Sequence, residues 1–402
     1  MLQARKLFSG KNATLLLDQV VCSASNAAAV MVAAFFLSSD HLNVYVAVQL
    51  IGTSLIGLQR SIFLDPSLVV TGNGAGHVAY GKWLWRSLGP FTVVALGISF
   101  LLEVQLFSPL TVLSILFPLV QDCLRYRSLA HGAYTRTLIS DGVWLVALLG
   151  GTVLFHPDSP QFMLVLWGVS AAISLPVLFF RLPLTGQRGL KASLALGRYQ
   201  VAEWTIASLT SVAPLLVVQA VLPVGSVAAF RLAQTAMGPL NTLNNFVMVR
   251  FLLGSSVLQD HDRAGLQRVV RHSSFAISSV TMVYGTLACL GFYLARPWLD
   301  PAIVSQVAYA VPVTVLAAVL MSPCTPYLGL ARSLSLQRFT ITPRFVVLVF
   351  NVLATAAGFW LWSHHRFDPL VVTILVTAIA SLIAYSLMFK RTLDRAASSK
   401  CP

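Results

Sequence analysis

Apolar runs about as long as a membrane-crossing helix follow one another along almost the whole chain, and this feature limits its folding choices more than any other. A helix needs roughly 20 apolar residues to cross a bilayer. Such runs fall near 14–38, 42–63, 84–106, 108–128, 136–155, 161–181, 199–222, 224–253, 273–295, 302–331, 340–362 and 368–390. Twelve of them in 402 residues leave only short connections and tails, so no sizeable soluble domain has room to form. Only 10% of the residues are charged, against about a quarter in soluble proteins. The eighth and tenth runs are long enough to tilt or bend. Pro239 and the Pro323/Pro326 pair are the expected kink points.

The net charge of +14 raises the question of nucleic acid, and the positions of the charges answer it. Of the 27 Lys and Arg, 24 lie in alternate connections and in the two tails, from Arg5, Lys6 and Lys11 to Lys390, Arg391, Arg395 and Lys400. The opposite connections hold only Arg296 and Arg366, while Arg231 falls inside a span. Under the positive-inside rule both termini are cytoplasmic and the number of spans is even. The basic composition is therefore topology, with no basic domain left to read nucleic acid. No cleavable signal peptide is expected, because the first apolar run is too long and follows a short basic tail.

Chemistry of other kinds finds little support. Cys22, Cys123, Cys289, Cys324 and Cys401 show no CxxC spacing, so neither a disulfide framework nor a zinc site is expected. The pair His364–His365 has only Asp368 for acidic company. The glycine-rich turn Thr71-Gly72-Asn73-Gly74-Ala75-Gly76 lacks the Lys-Ser/Thr of a phosphate-binding loop. The expectation is a protein without metal or cofactor that is not an enzyme.

The chain also resembles itself. An offset of 185 residues places Asp18 on Glu203, Tyr45 on Phe230, Gln49 on Gln234, Leu58 on Leu243 and Arg86 on Arg271. Further on, RSLA at 127–130 resembles RSLS at 332–335. Six spans separate the copies, so both halves share one orientation, as in parallel repeats related by an axis along the membrane normal. The expected architecture is an all-α polytopic membrane protein. It has about twelve transmembrane helices in two pseudo-symmetric six-helix lobes, 1–185 and 186–402, the second with a short cytoplasmic tail.

A charge at mid-bilayer costs roughly 2.5 kcal/mol or more, so each needs a partner, water or a function. Asp18 and Glu203 lie seven residues past Lys11 and five past Arg198, about 10 and 7 Å deep at 1.5 Å per residue. Either they line an inner gate and take a proton or Na⁺, or each is paired with Arg60 or another interfacial Arg. Arg231 lies within the eighth span with Gln234 one turn along the same face. Its planar fork suits phosphate oxygens; snorkelling, or pairing with Glu103, is the other reading. Asp122 and Arg125, at i and i+3, form with Arg136 and Asp141 an expected structural ion-pair cluster.

Three segments carry a resemblance to a known family. LLLDQVVCSASNAAAVMVAAFFL, QDCLRYRSLAHG and FRLAQTAMGPLNTL resemble the first helix, fourth-helix ending and eighth helix of Wzx-like polysaccharide-biosynthesis flippases. These belong to the multidrug/oligosaccharidyl-lipid/polysaccharide (MOP) exporter superfamily; Phe230 stands where an aromatic hydroxyl is commoner. The resemblance implies a central cavity lined by the first, second, seventh and eighth helices. Asn26, Gln49, Arg60, Arg231, Gln234, Asn241 and Asn244 would then contact substrate, with Asp18 and Glu203 at the ion-coupling gate. It implies a flippase of the cytoplasmic membrane moving a polyprenyl-(pyro)phosphate-linked oligosaccharide by alternating access, among membrane lipids and with a proton or Na⁺ as coupling ion. A MATE-type exporter of small amphipathic molecules is the nearest alternative. A membrane-embedded glycosyltransferase or polymerase, or an accessory subunit, is one of another class.

Overall fold

The computed structural model describes residues 10–37, 39–72, 80–101, 109–179, 190–221, 233–234, 237–253, 263–295, 301–334, 336, 338–365 and 369–398. The described helices are α1 Gly10–Phe36, α2 Ser39–Gln59, α3 Asp65–Gly72, α4 Tyr80–Leu101, α5 Pro109–Ala130, α6 Tyr134–Phe155 and α7 Pro160–Phe179. They continue as α8 Leu190–Val221, α9 Gly238–Leu253, α10 Arg263–Ala295, α11 Pro301–Met321, α12 Cys324–Ser333, α13 Arg338–His365 and α14 Pro369–Ser398. Every one of the twelve apolar runs overlaps a helix, and among the described residues there is no strand. Among the described residues, seven helical stretches are long and apolar enough to cross a membrane: Ala13–Ala33, Tyr134–Phe155, Pro160–Phe179, Arg263–Leu294, Ala308–Ser333, Phe339–Ser363 and Pro369–Asp394. The all-α polytopic class holds.

The sequence makes these helices compatible with lipid in a specific way. Their hydroxyls are spent on their own backbone: Ser25, Thr152, Thr281, Thr314, Ser381 and Thr392 each donate to the carbonyl four residues earlier. A polar side chain so satisfied costs little in a medium without water. Pro90, Pro118, Pro176, Pro312 and Pro343 lie inside helices, which membrane helices tolerate because neighbours re-satisfy the freed carbonyls. The expected kinks resolve differently from one another. At Ser322–Pro323 the tenth run breaks into α11 and α12. Pro239 instead stands in the first turn of α9, where its missing N–H would have no helical partner anyway.

The contacts divide the chain into two compact units, Met1–Gly197 and Arg198–Pro402. The expected lobe boundary between 185 and 186 falls outside the described residues. In the first unit α1 packs on α6, and α5 and α6 pack on α7. Its core gathers Tyr45, Leu119, Trp144, Met163 and Trp167. In the second, α14 packs along α13 and against α11, and α9 packs on α12.

Gly168 is where α7 meets α5 most tightly. A Cβ at this position would sit 2.3 Å from Ser114 Cα and 2.9 Å from its carbonyl oxygen. Backbone atoms cannot swing aside, so Gly168→Ala must push the two helices apart. Overpacking of this kind costs about 1–3 kcal/mol. The purified variant is expected to unfold at a lower temperature than the wild type, which a thermal melt in detergent reads directly. Gly142→Ala, with nothing within 4 Å of the added carbon, should melt with the wild type.

α2 ends in an irregular turn. Residues Arg60–Leu64 are π-helical, with Asp65 N–H reaching back to Arg60 O, and α3 follows directly. Pro66 explains the irregularity: it has no N–H to give, and in a regular helix its ring would strike the carbonyl of Ile62. Widening the turn relieves that clash. The Ile62 carbonyl comes so close to α8 that a Cβ on Gly197 would lie 2.0 Å from it, so only glycine fits there. Single π turns often mark functional places, and here the turn begins at Arg60.

Candidate functional site

The first unit holds a buried ionic cluster built on one turn of α5. Asp18 from α1 and Asp141 from α6, both fully buried, converge on Arg125. Arg125 Nη2 lies 2.5 Å from Asp18 Oδ2, and its Nε lies 2.9 Å from Asp141 Oδ2. Gln19 Nε2 also donates to Asp18 Oδ2 at 2.9 Å, and Gln121 Nε2 to Asp141 Oδ1 at 2.7 Å. The close approach of Arg125 Nε to Asp141 lacks hydrogen-bond alignment. Asp18 Oδ1 and Asp141 Oδ2 accept no hydrogen bond among the described residues. Two carboxylates therefore share one guanidinium and keep unused acceptor oxygens.

One turn back on α5, Asp122 holds Arg60 in a bidentate pair, Nη2 to Oδ1 at 2.6 Å and Nε to Oδ2 at 2.9 Å. Arg60 lies over the ring of Tyr126 at 5.4 Å, and the Tyr126 hydroxyl donates to Asp65 Oδ1 at 3.0 Å. Asp122 and Arg125 thus face different partners instead of each other. The helix spacing would permit an i,i+3 pair, but bonds across helices take both side chains. α5 ties the π turn of α2 on one side and the α1–α6 pair on the other.

The second unit has the reverse stoichiometry. Glu203 on α8, 1% exposed, is met by Arg332 from α12 at 3.2 Å and by Arg344 from α13 at 3.3 Å. Thr340 Oγ1 donates to Glu203 Oε2 at 2.9 Å. Arg344 also lies over the Tyr385 ring at 5.3 Å and keeps 23% of its side chain exposed. Here one carboxylate serves two guanidinium groups. The RSLA/RSLS correspondence pointed to the chain segment containing Arg332, but nothing in the sequence singled out Arg344 from the other basic residues of the cytoplasmic connections.

The remaining expected site residues are placed each within its own unit. Asn26 donates to the Cys22 carbonyl of its own helix at 3.1 Å, and Gln49 is buried in α2. Asn244 accepts from Thr325 at 2.9 Å, joining α9 to α12. Gln234 is half-buried, and Asn241 lies in α9. Arg231 lies outside the described residues. Among the described residues no group of three or more His, Cys, Asp or Glu could hold a metal ion.

No protein-family model and no curated protein matches the chain. Solved structures do. A eukaryotic MATE transporter, AtDTX14, matches over 97% of this chain and 97% of its own, with a TM-score of 0.70 at 12% identity. The Vibrio cholerae MATE transporter VcmN in its bent form matches over 96% of this chain and 99% of its own, with a TM-score of 0.65 at 13% identity. A MOP superfamily transporter from Pyrococcus furiosus, reported with a binding pocket of reversed polarity, covers 97% of this chain and 95% of its own, at TM-score 0.69 and 11% identity. Likeness at such low identity speaks for the fold: this is a multi-pass membrane protein with the fold of the MATE transporters of the MOP superfamily.

Proposed function

We propose that the chain is an alternating-access flippase for an anionic lipid-linked saccharide, a polyprenyl-(pyro)phosphate-linked oligosaccharide, in the cytoplasmic membrane. The observation that carries this reading is the opposite charge balance of the two buried clusters. In the second unit Arg332 and Arg344 outnumber Glu203, so that cluster attracts phosphate and repels an amphipathic cation. Arginine suits the task because it stays charged and offers a fork that matches phosphate oxygens.

The first unit supplies the coupling element. Asp18, Arg125 and Asp141 carry a formal charge of −1, and a single proton or Na⁺ cancels it. Uptake and release of that cation changes whether α1, α5 and α6 are held together by a charged or a neutral set, which biases a two-state equilibrium as ion coupling requires. Glu203, already outnumbered by cations, has no such excess and serves as a structural anchor for α12 and α13. A second reading, a MATE-type exporter of small amphipathic molecules, is favoured by the fold of the neighbours, which are MATE transporters.

Deletion of the gene separates the two. The flippase reading expects lost surface glycan and build-up of lipid-linked saccharide in the inner leaflet, restored by the wild type and not by Asp141→Asn. Normal surface glycan with no such build-up, together with new sensitivity to cationic dyes, would establish the exporter instead.

A further inference from the structure

An exposed surface of α13 and α14 is concave. A groove of about 450 Å³ runs between them, with Pro343 and Phe350 on one wall and Ile383 and Leu387 on the other. Ala380 and Ala384, one turn apart on α14, are the small residues that give it depth. Its outer rim is wide open: Ile383 is 56% and Leu387 62% exposed. From Val376 to Arg391 the groove follows α14 for about 22 Å at 1.5 Å per residue. One leaflet's hydrocarbon, half of a core of roughly 30 Å, is about 15 Å deep, so a single acyl chain fits along it.

The groove is apolar except at one end. There stands Arg391, exposed, in the basic end of α14 that the positive-inside rule places at the cytoplasmic surface. The carboxylate one turn further, Asp394, is taken by Arg263 at 2.6 Å. An apolar trough the length of a fatty chain, capped by an arginine at headgroup level, has the chemistry of one molecule: an anionic phospholipid. We infer that the groove holds one acyl chain of an anionic phospholipid of the cytoplasmic leaflet, with its phosphate on Arg391. The lipid fills the space between α13 and α14 and so becomes part of the packing of the second unit. This site is independent of the substrate proposed above.

Native mass spectrometry of the purified full chain in mild detergent, titrated with phosphatidylglycerol or phosphatidylcholine, tests it. The wild type is expected to retain one phosphatidylglycerol per chain about fivefold more readily than phosphatidylcholine, the ~1 kcal/mol that one interfacial Arg contributes toward an anionic lipid. Arg391→Gln, a change at an exposed position, should erase that preference, while Ala384→Phe should fill the groove and lower retention of both lipids. Lys390→Gln, outside the groove, should keep the preference. Equal retention of the two lipids by the wild type, or an undiminished preference in Arg391→Gln, would overturn the inference. So would a dimer that Ala384→Phe turns into monomer, since the groove would then be an interface between two copies.

Discussion

Arg125→Met is expected to be the most damaging single substitution in the first unit. It leaves Asp18 and Asp141, both 0% exposed, facing each other with no cation between them. Removing one partner from a buried ionic set costs about 3–5 kcal/mol, because the remaining charge keeps its desolvation penalty. The variant should therefore express poorly or melt far below the wild type. Charge counting also predicts the opposite sign for a neighbouring change. Asp141→Asn turns two carboxylates and one guanidinium into a neutral pair, and the new amide can still accept the hydrogen bond from Gln121. Its stability should equal or exceed that of the wild type while transport is lost. The triple variant Arg125→Met/Asp18→Asn/Asp141→Asn should regain most of the stability lost by Arg125→Met alone. Thermal unfolding of detergent-purified protein measures all three. An Arg125→Met melt within a degree or two of the wild type would show that the cluster contributes no such coupling.

What the sequence discloses follows from the kind of information each feature needs. The helices were legible because periodicity hardly matters for a segment that lipid surrounds; length, apolarity and the alternation of charge suffice. Asp18 and Glu203 were legible as acids in membrane segments, where any charge is conspicuous. Their partners were not. Arg125 stands three residues from Asp122, the spacing of a helical pair, and only the approach of α1 and α6 shows that it belongs to Asp18 and Asp141. Asp122 likewise turns to Arg60 across 62 residues of sequence. Arg344 looked like one more interfacial cation until α13 brought it to Glu203. The π turn has a local cause in Pro66, yet a proline after a long helix signals termination as readily as widening. Sequence thus exposes where charge is buried, while the packing of helices decides how that charge is balanced.

That balance makes the second unit respond differently to loss of its acid. Glu203→Gln removes the carboxylate that pairs with both Arg332 and Arg344 among the described residues, leaving two guanidinium groups side by side, one of them 90% buried. The expected loss is about 3 kcal/mol, at the low end for a broken buried set, because Arg344 is partly exposed and lies over Tyr385. Arg344→Gln should cost only about 1 kcal/mol, within the range of a partly screened pair, since Arg332 and Thr340 still satisfy Glu203. Stability and transport should therefore separate in opposite ways across the two units. In the first, neutralising an acid spares the fold and stops coupling. In the second, neutralising the acid damages the fold, and neutralising Arg344 spares the fold but weakens export of an anionic substrate. Parallel melts and in-cell accumulation of lipid-linked saccharide for Asp141→Asn, Glu203→Gln and Arg344→Gln decide the matter. Full export in Arg344→Gln would remove the excess guanidinium from the transport mechanism, and equal melts for Glu203→Gln and Arg344→Gln would show that the two-to-one stoichiometry carries no energetic weight.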